Sequence, residues 1–259
     1  MQLELVILGC WAPYPRAGGA CSGYLVRGGG TNILLEAGNG SLSRLRQFID
    51  FCSLDAAVVT HFHPDHYLDL FLLKHAVAGA RREGRRDGAL KLFLPSRPKE
   101  IYGQLSGFSE AFTAVSIEEL PRERLPAGII ARRAEIGGLL LHFVPALHSM
   151  PGYSLAVTGK GRLVYSGDTA RTAELTALAA GSGLFLCEAS GLDSDADYLR
   201  GVHLTAREAG AAAAEAGAER LLITHFWPEY DLGELARQAA AGFGRGVLTA
   251  REGDVHEIS

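Results

Sequence analysis

The chain has no apolar run approaching the roughly 20 residues that a bilayer-spanning helix requires, so no membrane partner is expected. Cysteine is scarce. The four present, Cys10, Cys21, Cys52 and Cys187, lack the paired spacing of structural zinc sites, and a disulfide framework is not expected in a chain of 259 residues. An excess of either charge is missing too: 25 basic against 29 acidic side chains leave a net charge of −4. That is too mild to create a general field for nucleic acid or lipid, and any polyanion would have to be met by a local patch. The opening residues Met1 to Gly9 carry no basic leader and read as a strand. A reduced, cytoplasmic setting is the default expectation. One hydrophobic core can serve a chain of this length, so residues 1–259 are expected to form a single domain.

Against this plain background stands Thr60-His61-Phe62-His63-Pro64-Asp65-His66. Three histidines and an aspartate so close together are hard to explain by packing, because a buried carboxylate needs a partner and histidine is only moderately buried. The preceding Ala56 to Thr60 reads as a buried strand, and Pro64 followed by the amphipathic Tyr67 to Leu73 reads as a helix start. The cluster therefore lies where a strand turns into a helix. Alternation points His61 and His63 the same way, while the turn swings Asp65 and His66 toward another point. Two facing pairs suggest two divalent metal ions, each completed by ligands from elsewhere in the chain. Imidazole with carboxylate suits Zn²⁺ first, with Mn²⁺, Fe²⁺ or Ni²⁺ as alternatives.

Around the cluster, Leu3 to Leu8, Gly23 to Arg27 and Thr31 to Glu36 read as an opening meander joined by glycine-rich turns, and Gly38-Asn39-Gly40 leads into a helix from Ser41 to about Asp50. Arg81 to Gly88 is a basic loop able to grip phosphates, although two acids interrupt it and a solvated surface is the simpler reading. The segment Gly103 to Val115, with Phe108 and Phe112, is a candidate border of a substrate cleft, and core packing explains those aromatics equally well. Strands follow at Ile129 to Ile136, Leu139 to Val144, Tyr153 to Thr158, Arg162 to Ser166 and Leu184 to Cys187, the last ending at Glu188. Two passes of strands, each closing with potential ligands and a helix, hint at an internal repeat and argue for layered α/β packing. Thr205 and Glu208 form a capping box ahead of an alanine-rich helix, which places His203 beside free backbone amides that favour an anion. Trp227 and Tyr230, just past His225, are candidates to wall a pocket, whereas His75, His142 and His256 read as structural or solvated.

His61-x-His63-x-Asp65-His66 after an apolar strand resembles the signature of the metallo-β-lactamase superfamily, and later motifs follow in the same order. Its third histidine is matched by His148 in Val144-Pro145-Ala146-Leu147-His148-Ser149, its bridging aspartate by Asp168 in Ser166-Gly167-Asp168-Thr169, and its last histidine by His225 after Leu221 to Thr224. The resemblance implies a four-layer αββα sandwich with the metals on the rim between the sheets. It also implies that His61, His63 and His148 bind one ion, that Asp65, His66 and His225 bind the other, and that Asp168 bridges them. Within the superfamily, His203-Leu204-Thr205-Ala206 is similar to the histidine motif of the RNase Z-like phosphodiesterase branch, and Glu188 in Cys187-Glu188-Ala189-Ser190 to that branch's His-Glu-Ala-Thr strand end.

Two ions about 3.5 to 4 Å apart can lower the pKa of a shared water to near neutrality and stabilise both attacking and leaving oxygens of an in-line displacement. Asp65 is then a candidate to orient the attacking oxygen, His203 to stabilise the phosphorane or protonate the leaving oxygen, and Glu188 to hold His203. The leading expectation is a metal-dependent phosphodiesterase. RNase Z proper carries a long transfer-RNA-binding arm between the positions matching His148 and Asp168, where this chain has a tight hairpin. A small phosphodiester is therefore the favoured substrate: a cyclic nucleotide, a cyclic sugar phosphate or a short oligonucleotide. The alternatives are transfer-RNA 3′ processing and hydrolysis of a carboxylic ester, lactone or thioester. A di-iron redox centre is disfavoured, because that branch replaces the second histidine with glutamate and here it is His63. The resemblance also leaves a homodimer open.

Overall fold

In the computed structural model, which describes residues 2–126 and 128–259, the chain builds two sheets that pack face to face. The first half supplies β1 (Leu3–Gly9), β2 (Gly23–Gly28), β3 (Thr31–Ala37), α1 (Ser41–Leu45), β4 (Ala56–Val58), α2 (Pro64–Tyr67), α3 (Leu70–Arg82), β5 (Leu90–Leu94), α4 (Lys99–Ser106) and β6 (Phe112–Ser116). The second supplies β7 (Arg122–Arg124), β8 (Ile130–Ile136), β9 (Leu139–Pro145), β10 (Tyr153–Gly159), β11 (Gly161–Tyr165), α5 (Ala173–Ala179), β12 (Leu184–Glu188), α6 (Ala196–Leu199), α7 (Ala206–Ala216), β13 (Leu221–Thr224), α8 (Leu232–Phe243), β14 (Leu248–Thr249) and β15 (Val255–Ile258).

The sheet orders are β15-β1-β2-β3-β4-β5-β6 and β14-β13-β12-β11-β10-β9-β8-β7. Both follow one plan. Antiparallel pairing runs through β1 to β3 and through β7 to β11, then parallel pairing takes over through β6 and through β14. The repeat hinted at by the sequence is thus a repeat of architecture.

Strand periodicity explains the layering. On β1, Leu3, Leu5 and Ile7 enter the core between the sheets, while Val6 and Leu8 join a separate apolar cluster with Leu45, Leu70, Leu73, Val77 and Leu105 of the overlying helices. Tyr24 meets Tyr165 across the sandwich with ring centroids 5.3 Å apart, and its hydroxyl pairs with Thr224 Oγ1 at 2.8 Å. Helices α5, α7 and α8 cover the second sheet, giving helix, sheet, sheet, helix. The capping box is present as expected: Thr205 Oγ1 accepts from Glu208 N, and Glu208 accepts from Thr205 N.

Three expectations change. The helix expected to reach Asp50 stops at Leu45, after which the chain tightens through turns. The segment 103–115 does not border the metal-side cavity. Phe112 is buried beneath α3 and α4, and Phe108 meets Phe71 edge-on with the Lys74 ammonium over its ring, so packing accounts for both rings. Arg81 and Arg82 belong to the end of α3 rather than to a loop. Arg81 and Arg86 donate to backbone carbonyls of Glu110, Cys52 and Leu54, and Arg85 to Glu83. Those guanidiniums are engaged by the chain itself. No helix among the described residues is long and apolar enough to cross a membrane.

Candidate metal centre

The seven ligand candidates come from segments that leave the C-terminal ends of strands, where α/β sheets open their crevices. His61 and His63 follow β4, with Asp65 and His66 in the first turn of α2. His148 follows β9, Asp168 follows β11 after Gly167 at φ 59°, and His225 follows β13. His225 itself has φ 63°, a left-handed conformation unusual for a residue with a side chain. Such strain is held only where its surroundings over-determine it.

The side chains converge in two overlapping groups. In the first, His63 Nδ1 lies 3.1 Å from His61 Nε2 and 3.0 Å from His148 Nε2, with Asp168 Oδ2 3.5 Å from His61 Nε2. In the second, His66 Nε2 lies 3.2 Å from His225 Nε2, and each stands 3.5 Å from Asp65 Oδ2. Asp168 reaches both groups: its Oδ1 is 3.5 Å from His66 Nε2 and its Oδ2 is 3.2 Å from His225 Nε2.

The hydrogen-bond partners behind these rings decide what the groups can hold. His148 Nδ1 faces the Val202 carbonyl at 2.7 Å, an acceptor only, so Nδ1 carries the hydrogen and Nε2 a lone pair. His61 Nδ1 faces Thr60 Oγ1 at 3.2 Å, whose own hydrogen goes to Glu36, so His61 Nε2 also presents a lone pair. Both lone pairs point at His63 Nδ1, which has at most one hydrogen to offer. A cation satisfies all three. Buried Asp168 Oδ1 likewise has no hydrogen-bond partner. The donor set fits a divalent metal, and the outer partners of His61 and His148 fix the tautomers of those two rings as in metal sites generally.

Charge follows the same division. Burial, reinforced by His66, pushes His61 well below the ordinary histidine pKa, and burial also lowers His63 and His148. Burial opposes charge on His66 and His225 as well. There Asp168 and Asp65 win, raising His66 well above the ordinary value and His225 to about 10.

Behind the second group, Ser190 Oγ meets His225 Nδ1 at 2.8 Å and donates to Glu188 Oε2. The same Glu188 oxygen receives His203 Nδ1 at 2.9 Å, and its other oxygen accepts from Thr169 N at 2.6 Å. Burial works against a charged His203, but Glu188 raises its pKa overall. His203 lines a cavity of about 460 Å³ together with His63, Asp65, Asp168 and His225, walled by Trp227 and Tyr230. His75, His142 and His256 stand apart from both groups, and His142 pairs with Glu123 at 3.2 Å.

Two side chains of this centre escaped the sequence reading. Glu36 is fully buried at φ 59° in an irregularity of the β2–β3 ladder, accepts from Thr60 N at 3.2 Å and from Thr60 Oγ1, and stands 3.4 Å from His66 Nδ1. A lone carboxylate in the apolar run Ile33 to Ala37 was its only signal. Ser190, which links His225 to Glu188, had entered only as the last residue of the Cys187-Glu188-Ala189-Ser190 match, with no role of its own.

A family model for the "Beta-lactamase superfamily domain" matches residues 31–226, which hold every residue of both groups. The chain belongs to this superfamily. It has the metallo-β-lactamase fold and is a metallo-hydrolase of the superfamily. Among superfamily proteins, the probable metallo-hydrolase YhfI of Bacillus subtilis is 27% identical over 98% of this chain and all of its own length. The YhfI crystal structure superposes with a TM-score of 0.88 at 25% identity, covering 99% of this chain and 100% of that one. The ribonuclease Z of Thermobifida fusca is 27% identical over 96% of this chain and 92% of its own. A diphosphatase from the PhnP family shares the fold at a TM-score of 0.75 and 18% identity, covering 100% of this chain and 98% of that one.

Proposed function

We propose that the chain is a dinuclear metal-dependent phosphodiesterase acting on a small phosphodiester. One ion would be held by His61, His63 and His148, the other by Asp65, His66 and His225, with Asp168 shared between them. Zinc is the metal best suited to that mixture of imidazole and carboxylate. Such a pair supplies Lewis-acid polarisation and acidifies a bound water. Asp65 faces the cavity and acts as the acceptor that orients the attacking water.

The observation that carries the proposal is the placement of His203. It stands between the Glu188 carboxylate and the cavity, just ahead of α7, with Nδ1 committed to Glu188 at 2.9 Å. Nε2 is thereby left to meet a phosphoryl or leaving oxygen, and Glu188 supports the imidazolium that donates a proton there. Carboxylic-ester, lactone and thioester hydrolysis need the metals but not this proton donor. Among the described residues the cavity is lined by no lysine or arginine, which favours a monoanionic diester over the polyanionic backbone of a transfer RNA. The relationship to ribonuclease Z supports phosphodiester chemistry in general.

Replacing His203 with alanine tests this. The expected outcome is a fall in kcat on bis(p-nitrophenyl) phosphate of ~10² to 10⁴, the usual worth of a positioned proton donor. Turnover of p-nitrophenyl acetate should change little. Undiminished diester hydrolysis in His203→Ala would refute the role, and efficient cleavage of precursor transfer RNA would refute the substrate class.

A further inference from the structure

The cavity that holds the candidate ligands is asymmetric. Its floor is polar, formed by carboxylates and imidazoles, whereas one wall is aromatic and open to solvent: Trp227 is 39% exposed and Tyr198 is 86% exposed. Exposed aromatics usually lie on mobile surface, but Trp227 is braced. Tyr14 packs edge-on against it with centroids 5.6 Å apart and is itself anchored to Glu229 at 2.7 Å. The Tyr230 ring lies 6.5 Å from Trp227, centroid to centroid, with its hydroxyl bonded to Asp195 at 2.9 Å on the segment that carries Tyr198. Arg16 ties the loop down by donating to the carbonyls of Pro228 at 2.6 Å and Tyr230 at 3.0 Å. Trp227 is thus braced beside the candidate metals with 39% of its surface still open to solvent. Rigid, pre-positioned aromatic surface is what favours binding over hydration.

We propose that Trp227 and Tyr198 form a stacking platform for a nucleobase, so that the substrate of this site is a nucleoside phosphodiester. The substrate's phosphodiester half rests on the function proposed above; the platform rests on the pocket geometry alone. Three features favour a base over an alkyl group or a bare sugar. The wall offers the flat rings of Trp227, Tyr198 and Tyr230, the tyrosine hydroxyls offer hydrogen bonds at its edges, and among the described residues no lysine or arginine lines the cavity to reward additional phosphates. Stacking on one aromatic ring corresponds to a roughly 5- to 150-fold gain in affinity per base.

The test separates base from phosphate without requiring turnover. Calorimetric titration of the zinc-loaded protein with adenosine 5′-monophosphate and with ribose 5-phosphate reads the contribution of the base. The monophosphate should bind at least about 5-fold tighter. Trp227→Leu and Tyr198→Ala should each compress that ratio toward one, and Trp227→Phe should retain most of it. Tyr198 is so exposed that its removal does not threaten folding. Equal affinity of the two probes in the unmodified protein, or failure of both to bind, overturns the platform, as does a ratio unchanged in both Trp227→Leu and Tyr198→Ala. Base-dependent binding in a protein unable to hydrolyse any phosphodiester would uphold the platform and overturn the phosphodiesterase reading.

Discussion

Replacement of Glu36 by glutamine asks whether a buried charge that touches no substrate sets the metal affinity. The carboxylate is fully buried; its oxygens accept from Thr60 N and Thr60 Oγ1, and Oε1 stands 3.4 Å from His66 Nδ1. Glutamine keeps the shape but turns one acceptor into a donor. With the amide nitrogen in place of Oε1, Thr60 Oγ1 and the His66 ring meet an N–H where they had an oxygen; in place of Oε2, Thr60 N does. A buried donor left without its acceptor costs about 1–3 kcal/mol. Loss of such an outer partner typically weakens metal binding about 10- to 100-fold. Glu36 has a second, opposing effect. Together with Asp168 and Asp65 it holds the His66 pKa well above the ordinary value, so metal must displace a proton that Glu36 helps retain. The substitution relieves that competition, most strongly at low pH. Zinc affinity measured by competition with a chromogenic chelator should therefore show a modest deficit at pH 6.5 and the larger one at pH 9, confined to one of two sites. The chelated variant should also melt lower, by about 2–4 °C per kcal/mol for a chain of this size. Affinity within twofold of the parent at both pH values would refute the reasoning.

The raised pKa of His225, about 10 because Asp168 and Asp65 outweigh burial, stabilises the metal-free fold fully below the unfolded value near 6.5 and is lost as pH climbs toward 10. Metal displaces that proton, so the difference in Tm between zinc-loaded and chelated protein should widen from pH 6.5 to 9; a flat or narrowing gap would contradict the assignment. A Cβ on Gly38 would overlap the backbone carbonyls of Asp65 and Ser22, so Gly38→Ala should cost about 1–3 kcal/mol and lower the zinc content by displacing Asp65. Full metal loading at the parental Tm would count against it. Cys10, Cys21 and Cys187 are buried, and burial pushes the Cys21 thiol up to about 12, leaving ~1 in 10⁴ as thiolate at pH 8. A thiol reagent should label only Cys52 in the native protein and all four cysteines in denaturant; rapid reaction at more than one native site would be inconsistent with the packing.

What the sequence disclosed was whatever short-range patterning controls. The ligand cluster at His61 to His66, the capping box at Thr205 and the strand alternation of β1 to β3 and β8 to β12 each lie within one or two elements. Glu36 did not show itself, because its meaning comes from Thr60 and His66, 24 and more residues onward and on another strand's exit. Of the two readings offered for Phe108 and Phe112, packing holds rather than a place on the cleft, for a related reason. Periodicity reports that a ring is to be covered, and α3 covers these two, whereas the rings at the cavity come from Trp227, Tyr230 and Tyr198 in segments with no periodicity. The short strands β6, β7, β14 and β15 were likewise silent, since they add edges to sheets whose other members define the pattern.

The origin of the ligands has an energetic consequence. His61, His63, Asp65 and His66 leave the first sheet, while His148, Asp168 and His225 leave the second. On the proposed assignment neither ion is held by one sheet, because His148 and Asp168 join His61 and His63 in the first group and His225 joins Asp65 and His66 in the second. Metal binding and the packing of one sheet on the other are therefore linked. Ions that bind only when the sheets are docked stabilise the docked state by RT ln(1 + [L]/Kd), about 4 kcal/mol at a thousandfold excess over Kd. That is a large share of the 5–15 kcal/mol by which domains are generally stable. The Asp168 carboxylate, which reaches both groups, lies where this coupling concentrates: on the proposed assignment its removal should loosen both ions and the sheet contact together, whereas removal of His203, which is not among the seven proposed ligands, should leave metal content intact while chemistry fails.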